Sequence, residues 1–230
     1  MDLAKLIDHT QLKPSAVLSD IDNAIRVGID YKVASVCVYP VWVRHVAEAL
    51  VNTEVKCCSV AGFPTGANHP KVILQEVAQA VYDGADEIDM VMNLGYARMG
   101  NWCEISNEIK SIKNEIGSKI LKVILEICEL SDEEILIASQ VAMDSGADFI
   151  KTSTGFGQHG ATLESVKLMA SITQGKIGIK AAGGIRTLSD MQSFINAGAS
   201  RIGTSSTVNI LNEAAKNNDE NEKKNQIVLT

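Results

Sequence analysis

Gly146-Ala147-Asp148-Phe149-Ile150-Lys151 carries a pattern that occurs three times in the chain. A Gly-Ala pair follows an amphipathic helical segment and precedes a short apolar run, and Gly84-Ala85 and Gly198-Ala199 stand in equivalent places. Helices commonly end at a glycine in the left-handed region. Short apolar runs without alternation are typical of parallel strands that are covered on both faces. The pattern therefore predicts alternating helices and parallel strands.

Eight such strands are predicted, each followed by a helical segment. They lie near Leu6–His9, Val33–Val38, Val55–Ala61, Glu87–Val91, Leu121–Glu126, Phe149–Thr152, Ile177–Ala181 and Arg201–Gly203. The strand count and the three Gly-Ala stops favour a (β/α)8 TIM barrel over a doubly wound open sheet. We predict one α/β catalytic domain over residues 1–215 and a polar C-terminal tail over residues 216–230.

Three helix starts are marked by capping signals. The segment Ser19–Val27 opens with Ser-x-x-Asp, and Ser131–Met143 opens with a capping box that has acids in its first turn. Pro70–Tyr82 has proline at a plausible first helical position. These signals predict where the helices after strands one, three and five begin.

Composition limits the function classes. The chain has 230 residues, is 46% hydrophobic and carries a net charge of −7, so it offers no electrostatic footprint for nucleic acid or an anionic membrane. No apolar run reaches the length of a membrane span, and the N-terminus lacks a signal-peptide core. Five cysteines without a C-x-x-C pair argue against a disulfide framework. We expect a soluble, cytoplasmic protein without nucleic-acid or membrane partners.

Charged residues at the carboxyl ends of the predicted strands indicate a catalytic site, because active sites of barrels lie at that end. Lys151 ends strand six, Lys180 lies near the end of strand seven and Asp89 lies in strand four. A buried lysine beside a second cation has an accessible neutral amine, which forms Schiff bases with carbonyls. The alternative for any one of them is a structural ion pair. Their occurrence on three strands favours a catalytic cluster.

Further polar residues accompany this cluster. Asp8 and Thr10 end strand one, and the four-residue spacing of Lys122 and Glu126 predicts that both lie on one face of strand five.

Two glycine-containing loops predict a phosphate site. Gly183-Gly184 follows strand seven, and Gly203-Thr204-Ser205-Ser206 follows strand eight and opens a helix. Loops in these places, together with a helix N-terminus, form the recurrent phosphate site of barrels. The alternative is ordinary turns and an N-cap.

Other site classes are disfavoured. Gly155-Phe156-Gly157-Gln158-His159-Gly160 matches G-x-G-x-x-G, but the acidic residue of a dinucleotide site is missing about twenty positions later. The four histidines show no metal-binding spacing, and a metal ion beside two lysines would be repelled. We therefore expect no metal and no cofactor.

Eight ordered blocks between about residues 5 and 210 resemble the deoxyribose-phosphate aldolase family. They are Ile7–Pro14, Ser35–Pro40, Gly62–Gly66, Gly84–Val91, Lys122–Glu126, Lys151–Phe156, Lys180–Thr187 and Arg201–Ser206. The resemblance implies a class I, metal-independent aldolase that cleaves 2-deoxy-D-ribose 5-phosphate reversibly to acetaldehyde and D-glyceraldehyde 3-phosphate. It also implies a sugar phosphate as the small-molecule partner, and we expect a homodimer or a larger homo-oligomer.

The resemblance assigns roles to residues of this chain. Lys151 matches the Schiff-base lysine, Lys180 the lysine that tunes it, and Asp89 the proton-relay aspartate. The substrate-binding positions are Asp8, Thr10, Cys37, Lys122 and Thr154, together with five residues that match phosphate contacts. These five are Gly183, Gly184, Gly203, Ser205 and Ser206.

Two departures from the family pattern remain. Ile127 replaces a threonine that many members have, and the chain ends in Thr230 where some members end in tyrosine. Two alternative functions stay open: another Schiff-base enzyme acting on sugar phosphates, and a barrel that binds a sugar phosphate without turning it over.

Overall fold

A computed structural model describes residues 2–228 of the chain, and the side chains of residues 2–217. Its strands are β1 Ile7–Gln11, β2 Ser35–Val38, β3 Lys56–Ala61, β4 Glu87–Val91, β5 Ile120–Ile124, β6 Phe149–Lys151, β7 Gly178–Ala182 and β8 Arg201–Thr204. Neighbouring strands pair in chain order, all parallel, and β8 pairs with β1 through Ile202 opposite Ile7. This closure confirms the predicted (β/α)8 barrel and excludes the open sheet.

Helices surround the barrel. They are α1 Leu18–Tyr31, α2 Val43–Ala49, α3 Pro70–Tyr82, α4 Leu94–Arg98, α5 Trp102–Ile116, α6 Asp132–Asp144, α7 Leu163–Thr173, α8 Leu188–Asn196 and α9 Thr207–Val228. The backbone of α9 continues through most of the predicted tail, while Leu229 and Thr230 of that tail lie outside the described residues. The division between residues 1–215 and 216–230 stays a prediction. None of the described helices is long and apolar enough to cross a membrane.

The capping signals are mostly confirmed. Pro70 is the first residue of α3, and Ser131 and Glu134 form the reciprocal capping box of α6. The predicted start of α1 at Ser19 is wrong. The carboxylate of Asp20 accepts a hydrogen bond from the backbone N–H of Val17 at 2.9 Å, so the helix begins before the serine.

The Gly-Ala stops have a steric reason as well as a conformational one. Gly84 follows α3 with a φ of 106°, which side chains rarely adopt. A Cβ atom there would lie 2.7 Å from the Cβ of Ala47, closer than two carbons can pack. Glycine therefore lets α3 end next to α2 before the chain enters β4.

Apolar side chains fill the space between the strands and the helices, with Ile88, Ile150 and Ile202 fully buried. The barrel interior differs, because Lys122 and Lys180 are among the largest side chains that are completely buried. Buried charges need partners, and the site described below supplies them.

Glu108 is a buried carboxyl group of the helical layer. It lines a groove of about 290 Å³ between α3 and α5, and neither carboxyl oxygen has a hydrogen-bond partner. Burial raises the pKa of Glu108 from 4.5 to about 7. Glu108 therefore ionises at a lower pH in the unfolded chain than in the folded protein. The stability that this difference contributes is fully present below the pKa of Glu108 in the unfolded chain, and it is lost as the pH rises through about 7.

Glu108→Gln is expected to raise the free energy of unfolding at about pH 8 by up to ~3 kcal/mol, because the buried ionised form is removed. Near the unfolded pKa the variant and the wild type should be almost equally stable. Urea unfolding at both pH values measures the difference. Glu104→Gln is the matched control, since Glu104 lines the same groove but is exposed. An equal stability gap at both pH values would contradict the assignment.

Candidate active site

The parallel register of the barrel places charged residues of neighbouring strands side by side. Lys122 of β5 lies opposite Asp89 of β4, and Lys180 of β7 lies opposite Lys151 of β6. Paired residues of parallel strands point to the same face. The four side chains therefore converge inside the barrel.

Asp89 lies at the centre of this group. Its Oδ2 accepts hydrogen bonds from Lys151 Nζ at 2.8 Å and from Lys180 Nζ at 2.7 Å, and its Oδ1 accepts one from Lys122 Nζ at 2.7 Å. Because Lys151 and Lys180 share one oxygen, their nitrogens are separated by no more than the sum of those two contacts. The structure thus brings together the three residues that the sequence singled out as catalytic.

A second layer of ion pairs lies next to Asp89. Asp8 Oδ2 is 2.5 Å from Lys180 Nζ and 3.4 Å from Lys122 Nζ, and its Oδ1 is 2.6 Å from Arg201 Nη1. Glu87 Oε2 is 2.6 Å from Lys122 Nζ and 3.3 Å from Arg201 Nη1. We call the seven residues Asp8, Glu87, Asp89, Lys122, Lys151, Lys180 and Arg201 the buried charge cluster.

Glu87 and Arg201 were not among the predicted site residues. Glu87 precedes Asp89 by two residues on one strand, and this spacing places both on the same face. Gly203, two residues after Arg201 on the same strand, lies against the side chain of Lys180. A Cβ atom at Gly203 would lie 3.0 Å from Lys180 Cε, so glycine there leaves space for the lysine stem.

Electrostatics fixes the charge of most cluster members. Burial alone would raise the pKa of Asp89, but the three lysines that contact it hold its pKa well below the ordinary value. Burial alone would lower the pKa of Lys180, but Asp8 and Asp89 raise it well above the ordinary value. The same carboxylates outweigh burial and raise the pKa of Lys122. Lys180 and Lys122 are therefore ammonium groups at neutral pH.

A cavity of about 350 Å³ opens above the cluster at the carboxyl ends of the strands. The predicted site residues that line it are Thr10, Lys151, Thr154, Gly183, Gly184, Gly203, Ser205 and Ser206. Lys151 is the one member of the buried charge cluster in this lining. Lys180 and Asp89 are buried outside it and reach the cavity through their contacts with Lys151.

Three of the predicted substrate-binding residues lie below the cavity, and their role in binding stays a prediction. Asp8, Cys37 and Lys122 have no exposed surface and lie outside the lining. Asp8 and Lys122 are held inward by the ion pairs of the cluster. Cys37 packs with Cys58 and Val60 in a small apolar group inside the barrel.

The wall formed by the loops after β7 and β8 suits an anion. The N-terminus of α9 follows Ser205 and Ser206, and backbone N–H groups at helix N-termini favour negative charge. Arg186 and Lys13 also line the cavity, although neither was a predicted site residue. Among the described residues that line the cavity, none is acidic.

The predicted shared face of Lys122 and Glu126 is wrong, because β5 ends at Ile124. Glu126 has a φ of 53° and a ψ of 64°, a left-handed conformation that turns the chain away from the strand direction. Its side chain bonds to Thr154 instead of following Lys122 into the barrel. A left-handed residue other than glycine leaves no clear sequence signal.

Ligand atoms of Cys37, Cys58 and Asp89 lie within 4.8 Å of one another. The Lys122 ammonium contacts two of these three groups, since its Nζ is 3.3 Å from Cys58 Sγ and 2.7 Å from Asp89 Oδ1. A metal ion there would be repelled by that charge. The arrangement therefore suits an ion pair better than a metal centre.

Comparison with known proteins gives one consistent result. The model of the DeoC/LacD family aldolases matches residues 2–213. A deoxyribose-phosphate aldolase of Streptococcus uberis is 47% identical over 94% of this chain and 99% of its own length. One from Staphylococcus carnosus is 44% identical over 95% of this chain and all of its own. The solved tetrameric deoxyribose phosphate aldolase of Aeropyrum pernix superposes with a TM-score of 0.84 at 34% identity, covering 93% of this chain and 91% of that one.

Proposed function

The chain belongs to the DeoC/LacD family of aldolases, and on this basis we propose that it cleaves 2-deoxy-D-ribose 5-phosphate reversibly into acetaldehyde and D-glyceraldehyde 3-phosphate. The reaction proceeds through a Schiff base on Lys151. The observation that carries this proposal is that Lys151 alone connects the buried charge cluster with the cavity.

The charge balance of the cluster supports a neutral amine at Lys151. Four cations face three anions, so the fully ionised cluster carries one uncompensated positive charge in a buried place. Such a charge is unfavourable. Lys151 contacts one carboxylate, whereas Lys180 contacts two and Lys122 contacts three. A neutral Lys151 therefore balances the cluster with the loss of the fewest ion pairs.

In the proposed reaction, the neutral Lys151 amine adds to C1 of the open-chain aldehyde and loses water to give a protonated imine. The imine accepts the electron pair when the C2–C3 bond breaks, and the C3 hydroxyl gives up its proton. Asp89, with Lys180 and a water molecule, carries protons between that hydroxyl and the carbon centres. After glyceraldehyde 3-phosphate leaves, C2 is protonated and water releases acetaldehyde from Lys151.

Acetaldehyde and borohydride together are expected to reduce the imine and leave a stable ethyl group on Lys151. Peptide mapping by mass spectrometry locates the adduct. No adduct should form without acetaldehyde. An adduct on Lys180, or none at all, would overturn the proposed role of Lys151. The same experiment separates the aldolase from a barrel that binds a sugar phosphate without turnover.

Ser206→Asp is expected to raise the KM for 2-deoxyribose 5-phosphate by about tenfold or more, because a carboxylate would face the phosphate in the cavity. Steady-state kinetics with 2-deoxyribose, which lacks the phosphate, serves as the control. The KM for that sugar should change little. An equal rise for both substrates would place the phosphate elsewhere.

The assembly and the setting of the enzyme are also proposals. The tetramer of the Aeropyrum pernix relative supports the expected homo-oligomer, which light scattering after size-exclusion chromatography tests. All five cysteines are free thiols, as expected in a reducing compartment, and this supports a cytoplasmic location.

A further inference from the structure

Glu126 is a buried carboxyl group for which the proposed reaction has no use so far. It is 4% exposed and begins the short turn after β5 in a left-handed backbone conformation. Two backbone hydrogen bonds join this part of the chain to β6 and the residue after it. The N–H of Leu125 donates to the carbonyl oxygen of Lys151 at 2.9 Å, and the N–H of Ile127 donates to that of Thr152 at 3.0 Å. Glu126 is therefore held at the base of the loop that follows Lys151.

Both carboxylate oxygens of Glu126 accept hydrogen bonds from Thr154, which lines the cavity. Oε1 accepts a hydrogen bond from the backbone N–H of Thr154 at 3.3 Å, and Oε2 accepts one from the Thr154 hydroxyl. The loop closes over this contact, since a Cβ atom at Gly157 would lie 3.3 Å from Glu126 Cδ. The carboxylate thus orients one hydroxyl group and is shielded by the same loop.

This contact decides which hydrogen-bonding groups Thr154 offers. A hydroxyl has one hydrogen and two lone pairs. The hydrogen of Thr154 is donated to Glu126, and one lone pair accepts the backbone N–H of Phe156 at 3.0 Å. The group that remains for the cavity is a lone pair. Thr154 therefore accepts hydrogen bonds from a ligand and does not donate to it.

We infer that Glu126 is a positioning residue that makes the cavity select an acceptor aldehyde with a hydroxyl group beside its carbonyl. This inference rests on the proposed function. The C3 hydroxyl of deoxyribose 5-phosphate becomes a carbonyl during cleavage, so it cannot donate in both directions of the reaction. The C4 hydroxyl stays a donor throughout, and it is the C2 hydroxyl of glyceraldehyde 3-phosphate. Thr154 accepts the hydrogen bond of that hydroxyl.

Glu126→Gln tests the inference because it reverses one hydrogen bond at nearly constant shape. The amide oxygen still accepts the Thr154 N–H, while the amide nitrogen donates to the Thr154 hydroxyl and frees its hydrogen for the cavity. The quantity measured is the ratio of kcat/KM for aldol addition of acetaldehyde to glyceraldehyde 3-phosphate and to 3-oxopropyl phosphate, the same acceptor without its hydroxyl. The wild-type preference for the hydroxylated acceptor is expected to fall by about 3- to 10-fold.

Thr154→Val removes the acceptor itself and is expected to lower the same ratio, which keeps the test decisive if the first variant folds poorly. The double variant should lower the ratio no further than Thr154→Val alone, because both changes act on one contact. Glu129→Gln is the matched control, since Glu129 lies in the same turn but is exposed, and its ratio should equal that of the wild type.

The outcomes separate the inference from the proposed function. Active variants at positions 126 and 154 with an unchanged ratio would overturn the inference alone, because a merely structural role lowers both rates equally. A wild type that adds acetaldehyde to neither acceptor would overturn the proposed function and with it the inference.

Discussion

Lys151→Met is expected to lower kcat for deoxyribose 5-phosphate cleavage by at least about 10⁴-fold, because no other amine of the buried charge cluster lines the cavity. The free energy of unfolding should stay the same or rise. The variant removes the one lysine that the charge balance leaves neutral, so Asp8, Glu87 and Asp89 still face three cations. A coupled assay of glyceraldehyde 3-phosphate and urea unfolding measure the two effects.

The loss of activity and the unchanged or higher stability together test the assignment of Lys151 as the nucleophile. Lys176→Met, at an exposed residue between α7 and β7, is the control for the loss of a lysine and should change neither property. Residual turnover within about tenfold of the wild type would show that Lys151 is not the nucleophile. A large loss of stability would show that Lys151 is needed as a cation.

The sequence predicted the barrel well because every level of the pattern agreed. Gly-Ala stops, β-branched runs and capping signals all describe local conformation, and each is decided within a few residues. It also predicted that Lys151, Lys180 and Asp89 converge, since strand ends of a closed barrel meet at one face. What the structure confirms is therefore that these three side chains meet.

The parts that were missed depend on contacts between distant segments. Arg201 meets Asp8 across the closure between β8 and β1, 193 residues apart in the chain. Glu126 turns away from β5 because its own backbone enters the left-handed region, and its side chain bonds to Thr154, 28 residues later in the chain. Asp8 and Lys122 point below the cavity because ion pairs hold them there. A local sequence pattern does not predict contacts or side-chain positions of this kind.

Lys180→Met also replaces a buried lysine by methionine, but it removes an ammonium group, and a loss of stability is expected. Lys180 Nζ lies 2.5 Å from Asp8 and 2.7 Å from Asp89, so its loss leaves two buried carboxylates short of a partner. Breaking a buried ion pair in this way typically costs about 3–5 kcal/mol. Activity should also fall by about 10³-fold or more, and the reason again lies in the charge balance.

Without Lys180, three cations remain to balance three anions, and Lys151 is one of them. The cluster is then neutral only while Lys151 keeps its proton, and an ammonium group is not a nucleophile. The yield of the borohydride adduct on Lys151 should therefore fall in Lys180→Met although Lys151 is still present. Urea unfolding and adduct mapping of the same preparation measure both effects. Turnover near the wild-type level would show that Lys180 does not control the charge of Lys151, and the balance of the cluster would then need another explanation.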